Sequence, residues 1–163
     1  MKRTSIVLAS LVIAVSACGG GSDNGNPTGV NGNSTVAGDG SVTMSINGAA
    51  WRSLKAGDRV TKSGQLYGIA SVNVPYALVL VLANVTGPGT FSLSAANASG
   101  SNAIISNTTG GWGTGFAGGT GTATVTVLTA NRIAGTFSFD AKPGSGGATG
   151  TMQIRNGKFD LTF

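Results

Sequence analysis

From Ser41 onward the chain keeps a two-residue rhythm, and that rhythm leaves little room for anything but strands. Val42, Met44 and Ile46 alternate with Thr43, Ser45 and Asn47. Ala123, Val125 and Val127 alternate with Thr122, Thr124 and Thr126, and Ile133, Gly135, Phe137 and Phe139 with Ala134, Thr136, Ser138 and Asp140. Successive side chains of a strand point to opposite faces, so such alternation marks strands with one face buried. No segment carries a sustained period of 3.6. The breaks between the runs are turn-formers: Asn47-Gly48, Thr129-Ala130-Asn131, a loop over 142–147, and Asn156-Gly157, read as a turn that returns the chain. Pro75, which cannot donate to a ladder, closes a strand over 66–74. The pattern predicts an all-β domain over 41–163, an antiparallel β-sandwich or partly open barrel of about eight to ten strands.

Two stretches depart from simple alternation. Residues 76–85, YALVLVLANV, are apolar on both faces, which predicts a central strand covered on both sides. Residues 95–121 are the least regular, and hold Trp112 and Phe116 within the glycine-rich GGWGTGFAGGTG. An aromatic ring on such a loop would be available to stack on a sugar or on a partner's apolar group. The competing expectation is that Trp112 folds back and caps one end of the sandwich. Trp51, in an alternating strand after Asn47-Gly48, is expected in the core. Only 9% of the residues are charged, against about 25% in an ordinary globular chain. Thr, Ser, Asn and 28 glycines take over the polar surface.

The first forty residues read differently. Lys2 and Arg3 form a basic head, Ile6 to Val15 an apolar run, and Val15-Ser16-Ala17 leads to Cys18, the one cysteine of the sequence. A basic head, a short apolar segment and small residues before a cut site make a secretory signal. The apolar run is about half the roughly 20 residues that a membrane span needs. The Cys18 context resembles the lipobox of bacterial lipoproteins. That resemblance implies cleavage after residue 17 and lipidation of Cys18. It also implies a chain held in the bacterial cell envelope, on the outer membrane where Gly19 rather than Asp follows the cysteine. Residues 18–40, rich in Gly, Asn and Ser, are expected to be a flexible tether with a reach of roughly 25 Å.

The fragments SINGAAW (45–51), GTATVTVLTANRIAGTFSFDA (121–141) and MQIRNGKFDLTF (152–163) together resemble a family of small bacterial lipoproteins carrying an all-β domain of unknown function. The resemblance implies an all-β fold and surface anchoring. It carries no catalytic residue.

The chemistry is bounded mainly by what the sequence lacks. It has no histidine and no glutamate, which removes a Ser-His-Asp triad and the usual zinc ligand sets. No metal site and no cofactor are expected. Asp140 and Asp160 are the best pair for carboxylate chemistry, such as glycoside hydrolysis, or else two solubilising groups on an exposed face. Once residues 1–17 are removed, eight Lys and Arg face five Asp, a net charge of +3. Arg52, Lys55, Arg59 and Lys62 supply half of those cations. They read either as a contact for anionic lipid head groups or an anionic glycan, or as a solvated hairpin. Nucleic-acid recognition motifs are absent. The sequence thus points to a membrane-anchored, non-enzymatic envelope domain with a glycan or envelope protein as partner. The alternatives are a structural or assembly role and, more remotely, an Asp-dependent glycan hydrolase.

Overall fold

The computed structural model describes residues 41–95 and 100–163. The predicted leader (1–17), Cys18 and the predicted tether (18–40) lie outside the described residues.

Among the described residues eleven strands form: β1 (Thr43–Ile46), β2 (Ala49–Arg52), β3 (Arg59–Ser63), β4 (Leu66–Asn73), β5 (Tyr76–Leu82), β6 (Gly89–Ser94), β7 (Asn102–Ser106), β8 (Gly110–Gly113), β9 (Thr120–Leu128), β10 (Arg132–Gly146) and β11 (Met152–Thr162). One turn of 3-10 helix, Lys55–Gly57, is the only helical element among the described residues. Every pairing is antiparallel. The main order is β2-β1-β11-β10-β8-β7-β5-β4-β3, and β6 joins through β9 to β10. The sheet is not closed into a barrel.

β10 explains how one sheet encloses a core. Its first part lies between β9 and β11, while its end, from Lys142 to Gly146, pairs with β8. It therefore belongs to two limbs: β2-β1-β11-β10-β9-β6, and the end of β10 with β8-β7-β5-β4-β3. The inward residues of both limbs share one cluster, from Met44, Phe137, Phe139 and Ile154 on the first to Tyr67, Leu78, Leu80 and Ile105 on the second. Polar bolts join the limbs. Trp51 is buried, as expected, and its indole N–H donates to the Asn73 carbonyl at 3.0 Å, while the Asn73 amide donates to the Arg52 carbonyl at 2.8 Å. The Tyr67 and Phe163 rings meet edge to face at 5.8 Å.

Three phenylalanines in the first limb each face a glycine across the ladder. Phe159 is opposite Gly135, Phe137 opposite Gly157, and Phe139 opposite Gly121. A side chain on any of the three glycines would collide with the facing phenylalanine. The glycines give the rings their room, and the rings cover backbone that glycine leaves bare. Phe137 stacks on Phe139 and Phe159 with centroids 6.1 and 6.3 Å apart.

Four expectations change. Asn47-Gly48 does turn the β1–β2 hairpin, with φ of 48° and 89°. Asn156-Gly157 does not reverse the chain. Asn156, at φ 54°, is the extra residue of a bulge inside continuous β11, since Phe137 faces Gly157 while Phe139 faces Ile154. The same left-handed preference serves a turn or a bulge, and pairing with β10 and β1 on either side of Asn156 selects the bulge. Residues 142–146 are strand rather than loop. Beyond Ala141 β10 is paired with β8 alone, so a strand can tolerate Pro143. Over 76–85, β5 buries Leu78, Leu80 and Leu82, but Val79 and Val81 on its outward face are half-buried rather than enclosed. The count of eleven strands exceeds the expected range because β3, β7 and β8 form where the sequence alternates poorly.

Candidate functional site

Trp112 and Phe116 were expected together on a glycine-rich loop, and the fold separates them. Trp112 lies on β8, opposite Ile105, and is 6% exposed. Its indole N–H donates to the Thr149 carbonyl at 3.1 Å. It is a core residue that closes the end of the sandwich, and no face of the ring is open to a ligand. The glycines around it bring neighbouring backbone close: a side chain at Gly110 would strike Ser145 and Ala148. Phe116 remains at the surface, 37% exposed, with its ring filling the space above Gly144 and closing on Gly113.

Asp140 and Asp160 do lie on neighbouring strands, but they do not meet. Asp140 faces Gln153, and Asp160 faces Ala134, six residues away along β10. At about 3.3 Å per residue that is roughly 20 Å, beyond the ~5–9.5 Å of paired glycosidase carboxylates. Each carboxylate has its own arginine. Arg132 holds Asp160 through two hydrogen bonds of 2.8 and 2.7 Å, and Arg155 holds Asp140 at 2.6 Å. The Arg132 hydrogen bond keeps the Asp160 carboxyl below its ordinary pKa. Asp58 has a structural task. Its Oδ2 accepts from the Ser41 N–H at 2.7 Å and from the Ser53 hydroxyl at 3.0 Å, while the Ser53 oxygen accepts from the Val42 N–H. The relay ties the start of the domain to the approach to β3.

The four clustered cations spread out. Arg52 is exposed on β2 and Lys55 is in the 3-10 turn. Arg59 and Lys62 lie on the edge strand β3, where charge discourages edge-to-edge pairing. The Lys62 ammonium sits over the rings of Tyr67 and Phe163, at 5.5 and 5.7 Å.

The concentration of ligand-capable groups lies elsewhere, on the outward face of the first limb. Across β6, β9 and β10 the register aligns three rows: Thr90, Thr124 and Thr136; Ser92, Thr122 and Ser138; and Ser94, Thr120 and Asp140. Eight of these nine positions carry hydroxyls. Strand spacing and pleat make the grid about 10 Å by 13 Å. Two shallow grooves, of about 440 and 370 Å³, run over its β9 and β10 columns and on to β11. They share Thr122 and Ser138. The first continues past Thr124 and Thr136 to Asn156 and Lys158, and the second past Thr120 to Asp140 and Arg155. The bulge at Asn156 breaks the ladder beside the first groove, which Asn156 lines. Alongside Phe137 and Gly157 that groove is lined by four hydroxyls, an amide and an ammonium. The mixture suits a polyhydroxylated ligand, with hydrogen-bonding groups beside an apolar surface, rather than a wholly apolar one.

Reading the sequence alone registers these residues only as the polar half of each alternation. The repeated Thr of 120–126 is the visible signal, but pairing with β6 and β10 assembles the grid. Among the described residues no group of three or more His, Cys, Asp or Glu forms that could hold a metal.

The chain belongs to the family described as Domain of unknown function (DUF6252), whose model matches residues 38–160. No curated protein and no solved structure matched it.

Proposed function

We propose that this protein is a lipid-anchored envelope protein of bacteria that holds a polyhydroxylated glycan along the Thr122–Ser138 grooves, without catalysis. The address rests on the leader and Cys18, where the sequence resembles a lipobox. The binding role rests on one observation, the registered hydroxyl grid with two adjoining grooves across it. Hydroxyls are both donors and acceptors and match the alternating demands of a sugar. A hydrogen bond contributes about 1 kcal/mol net, so about four of them give roughly millimolar affinity for a short oligosaccharide. The reading therefore favours a polymeric, repeating ligand, for which many anchored copies act together. A non-enzymatic role fits the lack of histidine and glutamate and the separation of Asp140 from Asp160.

The test is co-sedimentation with insoluble envelope polysaccharide, comparing wild type with Thr122→Val/Thr136→Val. Valine keeps the shape and strand preference of threonine but not its hydroxyl. Retained folding with at least a several-fold loss of binding is expected. Equal binding by the variant rejects the groove. Mass spectrometry of the processed chain tests the anchor separately.

A further inference from the structure

The outward face of the second limb differs in kind from the hydroxyl grid. One registered row crosses all six of its strands: Arg59 on β3, Ala70 on β4, Val79 on β5, Ile104 on β7, Gly113 on β8 and Lys142 on β10. The row is apolar in the middle and cationic at each end, and spans roughly 24 Å at the ordinary strand spacing. Beside it lie Val72, opposite Ala77, and Val81, opposite Gly68. Val72 and Ile104 are each 40% exposed, and Val74, just past β4, is 75% exposed. Phe116 packs on Gly113 at the far end of the row.

The charge on this face has one sign. Arg59 donates to the Asp58 carbonyl and Lys142 to the Thr151 hydroxyl, and neither is in an ion pair among the described residues. The three carboxylates of the described residues are turned away or occupied. Asp58 accepts from Ser41 and Ser53, while Asp140 and Asp160 pair with arginines on the first limb. The row is flanked on the same face by Thr61, Asn102 and Ser106. Its exposed apolar part, Val72, Val74 and Ile104 with a cation at each end of the row, marks a contact surface. A partner protein selected by two cations would need acidic groups spaced to meet them. A bilayer of anionic lipids needs no such match, since its negative surface potential attracts every nearby cation.

We infer that the face of β3, β4, β5, β7 and β8 lies on an anionic lipid bilayer, with Arg59 and Lys142 on head groups and Val74 and Ile104 at the interface. The envelope address proposed above supplies the bilayer, but the contact does not need the lipid on Cys18. Lying this way, the domain turns its hydroxyl grid away from the membrane.

The experiment uses the full chain carrying Cys18→Ser, with one new thiol at Ile104→Cys or Thr122→Cys labelled by a polarity-sensitive dye. With phosphatidylglycerol vesicles at low salt, the dye at position 104 is expected to shift to the blue while the dye at 122 does not. Phosphatidylcholine vesicles or about 1 M salt should abolish the shift, because screening then acts over about 3 Å. Arg59→Gln/Lys142→Gln should weaken it about fivefold per cation removed, with an unchanged circular dichroism spectrum. Equal shifts at 104 and 122, or an equal shift with phosphatidylcholine, overturn the inference. So does a lipid-free shift that grows with protein concentration, which would make a second copy the occupant. Because Cys18 is absent throughout, the result is independent of lipidation and of glycan binding.

Discussion

The contact between Phe116 and Gly144 can be isolated with four proteins: wild type, Gly144→Ala, Phe116→Ala and the double variant. A Cβ on Gly144 would fall within the Phe116 ring, and its three nearest neighbours are all ring atoms. Backbone therefore need not move; the ring must leave. A phenylalanine buries roughly 200 Å² when fully covered, and Phe116 is 37% exposed, so roughly 120 Å² is covered here. At about 25 cal/mol per Å² this is worth about 3 kcal/mol, an upper figure because the unfolded chain already hides some of it. Phe116→Ala should cost about 2–3 kcal/mol. Gly144→Ala should cost a similar amount, since it expels the same ring, less a few tenths returned by stiffening the unfolded chain. In the double variant the ring is already gone, so the second change adds nothing and the coupling is about 2 kcal/mol. Urea unfolding of the four proteins reads this directly through their midpoints at constant m-value. Additive penalties would refute the reasoning, because Gly144 would then be acting through backbone and not through Phe116.

Three further outcomes are expected. Gly121→Ala drives a side chain into Phe139 and the Ser138 carbonyl, an overpacking cost of about 2–3 kcal/mol, whereas Gly115→Ala, with open space around it, should be neutral or slightly stabilising in a thermal melt. Asp58→Ala removes the acceptor shared by Ser41 and Ser53 and should cost about 2–3 kcal/mol, with Asp58→Asn intermediate; a wild-type melting temperature for Asp58→Ala would show the relay to be dispensable. Asp160, whose folded pKa is lowered by its Arg132 hydrogen bond, contributes stability that is present above the ordinary carboxylate pKa and lost as pH falls through the lowered value. Asp160→Asn should therefore lose a little stability at neutral pH and match wild type once pH has fallen below the lowered value, and salt should shrink the neutral-pH difference because the pair is exposed.

The alternations at 42–46, 123–125 and 133–139 were enough to place β1, β9 and β10 and to orient their inward residues. Val127, expected on the inward face with Ala123 and Val125, is not there. An extra residue between Val125 and Val127 shifts the register against β10, so Val127 faces Ala134 and Leu128 packs against the core instead. In the three alternating runs local chemistry and tertiary packing make the same demand. Over 76–82 both faces are apolar in sequence, so pairing in the sheet and not alternation decided that Leu78 and Leu80 turn inward while Val79 and Val81 face out. Trp112 shows where that logic ends. Glycine neighbours remove local side-chain packing, so its sequence environment describes a bare ring; yet the same glycines let β8 and the end of β10 close around it. The hydroxyl grid shows the converse. Each Thr and Ser was visible as a polar position, but a grid across three strands is a property of two registers at once, and register between distant strands is not written in any one strand.

Taken by itself, the amino-acid sequence determined that this domain is built from strands, which residues each regular strand turns inward, and that histidine and glutamate chemistry is closed to it. Those follow from composition and nearest-neighbour stereochemistry. Tertiary structure alone decided that Asn156-Gly157 bulges instead of turning, that β10 serves two limbs, and that Asp140 and Asp160 stand far apart. It also made one outward face hydroxylic and the other apolar with cations at its ends. Pairing between segments remote in the chain sets these outcomes, because a backbone hydrogen-bond ladder satisfies its donors and acceptors without regard to how far apart they lie in sequence.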